Sequence, residues 1–220
     1  MKLDPIVREK YPEFIAGYVR VSGVTIEPAV EGLVERKREI FSDLKARYGA
    51  VPALDISEVK AYRAFFKAMG ADPSSYRPAP EFLLRRALDD RFPAINNLVD
   101  SCLLATVENW VVIGVYDADR VKGQAVTTLA AEAEPFELID GRKVSPKLDE
   151  IVLRDDEKLM SAYTLGDAKA TLIKPETSNV LMVLWNAPSV SRDRVENAIS
   201  AVSTYARKYC GGHIDEKAVL

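Results

Sequence analysis

Between residues 28 and 109 the apolar positions of this 220-residue chain return mostly every third or fourth place, the spacing of one helix face. PAVEGLVERKREIFSDLKARYG (28–49) carries Val30, Leu33, Val34, Ile40, Phe41 and Leu44 in that rhythm. ISEVKAYRAFFKAMGAD (56–72) predicts a second helix, with Ser57 as N-cap and Gly70 as C-cap. PAPEFLLRRALDD (78–90) predicts a third, with Pro80 and Glu81 in its first turn. INNLVDSCLLATVE (95–108) predicts a fourth, with Asn96 or Asn97 as its cap. After Asn109 the pattern shortens into apolar or β-branched runs divided by Gly, Pro and Asp: WVVIGVYD, QAVTTLA, PFELI, EIVLRD and NVLMVLW. FIAGYVRVSGVTI (14–26) predicts one early strand, bent at Gly17 or Gly23, and VSRDRVENAISAVSTYARKY (190–209) a closing helix before Gly211-Gly212. Helices followed by a strand-rich half indicate an α+β fold. No repeat, low-complexity tract or long linker divides the chain, so one domain over 1–220 is expected.

Composition narrows the function. A 48% hydrophobic content can build a sizeable core, and a net charge of −3 argues against a protein that coats nucleic acid or DNA non-specifically. Contact with an RNA end through a local patch stays open, as does the oligomeric state. The ERKRE charges alternate in sign and read as a solvated face. Cys102 and Cys210 show no metal-ligand spacing and read as reduced thiols of a cytosolic core. No apolar run reaches the ~20 residues of a membrane span, and MKLDPIVREKYPEF has no signal-peptide core. A soluble cytoplasmic protein without a membrane partner is expected.

The familiar catalytic constellations are missing. The single histidine, His213, falls in a C-terminal stretch that reads as a mobile tail, which leaves no His-based triad and no zinc site. GxGxxG and GxxxxGK[ST] do not occur, so no nucleotide cofactor is expected, and no metal. The pairs Asp89-Asp90 and Asp155-Asp156 suit caps or turns. FPAINNLVD (92–100) stands out, because it sets Asn96, Asn97 and Asp100 in an apolar segment where asparagine is a mediocre helix former.

Four stretches give that segment a context: YRPAPEFLLRR (76–86), FPAINNLVD (92–100), IGVYDADRVKG (113–123) and KPETSNVLMV (174–183). In order and spacing they resemble the B3/B4 domain of the β subunit of bacterial phenylalanyl-tRNA synthetase, and more closely the free-standing proteins made of that domain alone. The resemblance runs from about Ala61 to Tyr209, with residues 1–60 as an N-terminal strand and helix packed on it. It implies three α+β layers around a β-sandwich core of unusual topology, with flanking helices. In the synthetase the domain edits: it hydrolyses the ester of a wrongly attached tyrosine at the tRNA 3′ end, the second sieve behind an imperfect first one. Such a site needs a positioned water and donors to the ester rather than a side-chain nucleophile.

The resemblance implies a pocket whose polar readers are gone. The family's His-Ala-Phe-Asp falls on Gly114-Val115-Tyr116-Asp117, its tyrosine-reading glutamate on Val183 and a pocket asparagine on Leu103. The free-standing relatives' arginine-rich segment is here SAYTLGDAKAT (161–171). The expected pocket is apolar, around Gly114 and Val183, and a deacylase working on aminoacyl-tRNA is one outcome. A binding module for RNA, protein or a free amino acid is the other. Each candidate also has a plain structural reading. Asn96 and Asn97 suit a helix cap. Asp100 and Asp117 can accept backbone N–H groups, and Thr177 and Asn179 suit a turn. Gly114 and Tyr116 can be a close approach and a core ring. Arg85 and Arg86 can meet a phosphate or stay on a solvated helix face. Trp110 and Trp185 read as core rather than base-stacking platforms.

Overall fold

A six-residue antiparallel pairing joins the two predicted halves: the early strand lies beside the last apolar run. In the computed structural model, which describes residues 1–131 and 134–220, the elements are β1 (Lys2–Leu3), α1 (Pro5–Lys10), β2 (Ala16–Ser22), α2 (Glu31–Tyr48), α3 (Ser57–Ala68), α4 (Ala79–Leu88) and α5 (Asn97–Asn109). There follow β3 (Val112–Asp117), β4 (Val126–Leu129), β5 (Phe136–Glu137), β6 (Lys143–Val144), β7 (Ile151–Arg154), β8 (Leu159–Ala162), β9 (Gly166–Asp167), β10 (Val180–Trp185), α6 (Arg192–Cys210) and β11 (His213–Val219). One sheet has the order β11-β2-β10-β3, the other β1-β4-β7-β8-β9, and β5 pairs with β6. The α+β expectation holds, with strands from both ends of the chain joining those of the second half.

β10 occupies an inner position, antiparallel to both β2 and β3, and all six of its residues are buried. VLMVLW is continuous rather than alternating because both faces of this sheet are covered. On one side lies α6: a β-carbon on Gly17 would stand 2.9 Å from Ile199 Cδ1 and 3.3 Å from Val195 Cγ1. On the other lies the second sheet, where Trp185 Nε1 donates to Thr127 Oγ1 of β4 at 3.1 Å and the Trp185 ring stacks on Tyr163 at 5.7 Å. The main core cluster reaches from Val7 to Cys210, so the N-terminal extension shares its interior with the motif-bearing region.

Several expectations need correction. The stretch from His213 is no tail but β11, which pairs along β2. Gly211, at φ 72, reverses the chain after α6, and the polar HIDEKAV serves as an edge strand whose outer residues face water. The N-terminus also folds: Asp4 Oδ1 accepts the Ile6 N–H at 3.2 Å, with Pro5 in the first helical turn of α1. Ser57 is a helical residue rather than the N-cap; Ile56 precedes it, and Ser57 Oγ donates to Glu58 at 2.7 Å. Met69 rather than Gly70 is the C-cap of α3; Gly70, at φ 74, is the left-handed residue just beyond it, and Ala71 N–H reaches back to the Phe66 carbonyl at 2.9 Å. Cys102 and Cys210 are buried and free. Among the described residues no helix is long and apolar enough to cross a membrane, and no group of His, Cys, Asp and Glu could hold a metal ion.

Candidate functional site

On β3 the small Gly114 and the large Tyr116 share one face, and that pair shapes a cavity between the two sheets. The Tyr116 ring folds back across Gly114, so that a β-carbon at 114 would lie 2.0 Å from the phenol oxygen. Only glycine leaves room for the ring there. The phenol donates to Asp167 Oδ1 of β9 at 2.7 Å, tying the edges of the two sheets together. Around this pair opens a cavity of about 310 Å³, walled by Phe66, Phe82, Leu103 and Tyr163, with Arg77 also lining it. The wall is largely apolar, with a few polar groups, the usual make-up of a small-molecule site. A second hollow of about 410 Å³ adjoins it through Thr164 and Leu165 and is bordered by Tyr76 and Lys147.

Asp167 lies in low-dielectric surroundings. Burial lifts its carboxyl above the usual carboxylate range, and the Tyr116 and Ser161 hydroxyls draw it part of the way back. Burial, then the neighbouring Asp167, holds the Tyr116 phenol well above its ordinary pKa, so it stays a donor. Glu81 is treated differently. Its buried carboxylate is met by Arg63 at 2.9 Å, Arg85 at 3.1 Å and Arg77 at 3.5 Å. Three guanidiniums on one carboxylate leave a positive excess beside the cavity.

Most of the residues singled out from the sequence serve the frame. Asn96 caps α5, its Oδ1 accepting the Val99 N–H at 2.8 Å. Asn97 is 1% exposed: Nδ2 donates to the Thr25 and Tyr209 carbonyls at 2.9 and 2.8 Å, and Oδ1 accepts the Glu27 and Leu98 N–H groups, each at 2.9 Å. Its four hydrogen-bonding positions are therefore filled. Asp100 accepts the Ile95 N–H at 2.9 Å and pairs with Lys37 at 2.8 Å. Asp117 accepts from Asp119 N–H at 3.1 Å and from Thr177 Oγ1 at 2.9 Å, and Asn179 Nδ2 donates to Asp119. Val183 faces Gly114 in register but is buried and not part of the cavity wall. Arg85 is held by Glu81, and the Arg86 guanidinium lies 5.1 Å from the Phe82 ring centre. Gly114, Tyr116 and Leu103 do meet at the cavity.

Phe66, Arg77, Phe82, Ser161 and Asp167 were not singled out by sequence reasoning, though the structure brings them to the same wall. One signal was present: Asp167 is a lone acid in the otherwise uncharged SAYTLGDA, next to the flexible Gly166. A larger hollow of about 520 Å³ lies between α2, α5 and α6, away from the motif. Three of its polar groups satisfy one another, Arg36 and Tyr205 both bonded to Glu108 at 2.5 Å, and no motif residue lines it. The cavity under Gly114 is the better site.

A family model described as the B3/4 domain matches residues 61–211. The chain belongs to the B3/4 domain family. Similar to it is the phenylalanine–tRNA ligase beta subunit of Rhodopseudomonas palustris, 28% identical over 130 residues, which are 58% of this chain and 16% of that protein. The corresponding subunit of Geobacter metallireducens is 30% identical over 109 residues, 49% of this chain and 14% of that one. This B3/4 chain therefore spans only a small part of the length of those relatives. An N-terminal fragment of the phenylalanyl-tRNA synthetase beta subunit from Pyrococcus horikoshii shares the fold, with a TM-score of 0.53 at 13% identity, covering 99% of this chain and 53% of the fragment.

Proposed function

We propose that this B3/4 protein receives the aminoacyl end of a charged tRNA, or a related small aminoacyl compound, in the cavity under Gly114, and hydrolyses its ester with a positioned water. The observation that carries this reading is the cavity itself: about 310 Å³, apolar in most of its wall, and located at the B3/4 motif positions Leu103, Gly114 and Tyr116. That volume is at the small end for ligand sites and suits an amino-acid side chain better than a larger ligand. The positive excess around Glu81 suits a phosphate of the tRNA end, and the adjoining hollow with Tyr76 offers a ring for its terminal base. The chemistry would come from orientation and dry surroundings, since no histidine lines the cavity.

A second reading is favoured by one observation: Asn97, Asp100, Asp117 and Thr177 are all committed to structural bonds. A protein whose motif polar groups serve the frame could bind an aminoacyl compound without cleaving it. A deacylation screen of the purified protein across mischarged tRNAs tests both. Enzyme-dependent release of an amino acid supports hydrolysis; retention of every ester, with tRNA or amino-acid binding preserved, supports binding alone.

A further inference from the structure

Among the described residues, Asp167 forms no ion pair: no Lys or Arg nitrogen lies within 4 Å of its carboxylate. Arg77, which lines the same cavity, is directed to Glu81. The nearest basic residue in sequence, Lys169, pairs with Glu137 at 2.7 Å. The side-chain groups beside Asp167 are neutral. Tyr116 donates to Oδ1 at 2.7 Å; the Ser161 hydroxyl, near enough to help draw the carboxyl's pKa down, donates to the Gly166 carbonyl at 3.3 Å; and the Cys102 thiol is held protonated by burial. A half-buried carboxylate at an apolar wall without a counter-ion is unfavourable, and such groups collect where a ligand completes them. The protein also takes care to hold it: Gly114 has no side chain so that Tyr116 can lie across it and reach Asp167.

We propose that the Asp167 carboxylate is the seat of a primary ammonium group, the α-ammonium of the aminoacyl compound taken up by the cavity. This rests on the aminoacyl reading above. Oδ1 is oriented by Tyr116, and no hydrogen bond from the described residues reaches Oδ2, which leaves an acceptor for an N–H of the incoming cation. Phe66, Phe82 and Leu103 in the same wall offer apolar contact to the side chain. The site would therefore demand a free amino group while discriminating weakly between apolar side chains, since one methylene changes binding only about 10- to 200-fold.

The test compares leucinamide with N-acetyl-leucinamide, which keeps the side chain and removes the charge. Binding is followed by amide chemical shifts of the ¹⁵N-labelled protein. Leucinamide should bind about tenfold or more tightly than its acetylated form, shifting the Gly166 and Asp167 signals. Asp167→Asn should bring the two affinities within about twofold. Equal affinities in the unmodified protein, binding of neither compound, shifts confined to another surface, or discrimination that survives in Asp167→Asn would each overturn the proposal. Should Asp167→Asn not fold, the acetylation contrast and its shift map decide alone. A parallel deacylation assay on aminoacyl-tRNA and N-acetyl-aminoacyl-tRNA separates this inference from the reading it rests on. Equal hydrolysis of both would sink the ammonium seat and leave the hydrolase standing. Selective leucinamide binding without hydrolysis of either would do the reverse.

Discussion

Asn97 and Asp167 are both polar groups set among apolar side chains, and the fold completes one while leaving the other open. Asn97 fills two donor and two acceptor positions with backbone partners from three separate segments, around Thr25, Leu98 and Tyr209. Asp167 has one oxygen oriented by Tyr116 and, among the described residues, no cationic partner. A buried amide with every position filled is a clamp, and losing it leaves several backbone groups unpaired. A half-buried carboxylate with one position open is unfavourable for stability and useful for binding. Glu81 sharpens the contrast: it is as buried as Asn97 and has three arginines, so charge alone does not mark a site.

The largest expected effect tests the structural side. Val183 lies between Gly114 and Tyr18 on β10 and is 2% exposed. Val183→Glu should cost about 4 kcal/mol or more, because it buries a charge with no partner. Denaturant melts measure it. If the variant is instead stable and gains activity on tyrosyl-tRNA, Val183 belongs to the pocket and not to the frame. Asn97→Ala comes next, at about 3 kcal/mol, since the Thr25 and Tyr209 carbonyls and the Glu27 N–H lose their partner together. A melt unchanged within experimental error would show that the clamp contributes nothing.

Gly114→Ala sits on the border between the two regions. Its new methyl would meet the Tyr116 oxygen, so either the ring swings away or the strand shifts. The expected cost is about 1–3 kcal/mol, the range for overpacking, together with loss of leucinamide binding as Asp167 loses its orienting phenol. A variant as stable as the parent that binds leucinamide equally well would mean that the Tyr116–Asp167 bond does not build the site.

How much of this was legible follows from the same contrast. The helices and the buried strands announced themselves, because burial on one face or both writes directly into apolar spacing. The clamp was legible too: an asparagine pair in an apolar segment has few reasons to exist, and a cap plus a backbone bridge is the commonest. β11 was missed because an edge strand exposes polar residues, so HIDEKAV carries little apolar signal. β8 and β9 are four and two residues long, too short for a period to show. Asp167 was missed for a further reason. What makes it a site is the absence of a partner, and sequence spacing cannot show which charges a fold leaves apart. Val183 was assigned to the pocket by position, yet the Tyr116 ring lying across Gly114 occupies the space that an open pocket floor would need.

The smallest expected change has the opposite sign, and its pH dependence distinguishes an open carboxylate from a merely structural one. Burial raises the Asp167 pKa in the folded protein above its unfolded value. Between those two values the folded state holds more protons than the unfolded state, so stability falls as pH rises through that window. Asparagine at 167 has the same shape, can still accept the Tyr116 hydrogen bond, and carries no charge to desolvate. Asp167→Asn should therefore be at least as stable as the parent near neutral pH. Its advantage should shrink as the pH is lowered, vanishing once the carboxyl is protonated in both states, near pH 4 or below for an ordinary aspartate. Paired thermal melts from pH 4 to pH 8 measure this. An advantage that grows toward low pH, or a variant less stable at neutral pH, would mean that the charge at Asp167 stabilises the fold. In that case an unmet cation is not what the cavity is built around. Saturating leucinamide gives the converse: it should raise the melting temperature of the parent and not that of Asp167→Asn, because only the parent has a charge for the ammonium to neutralise.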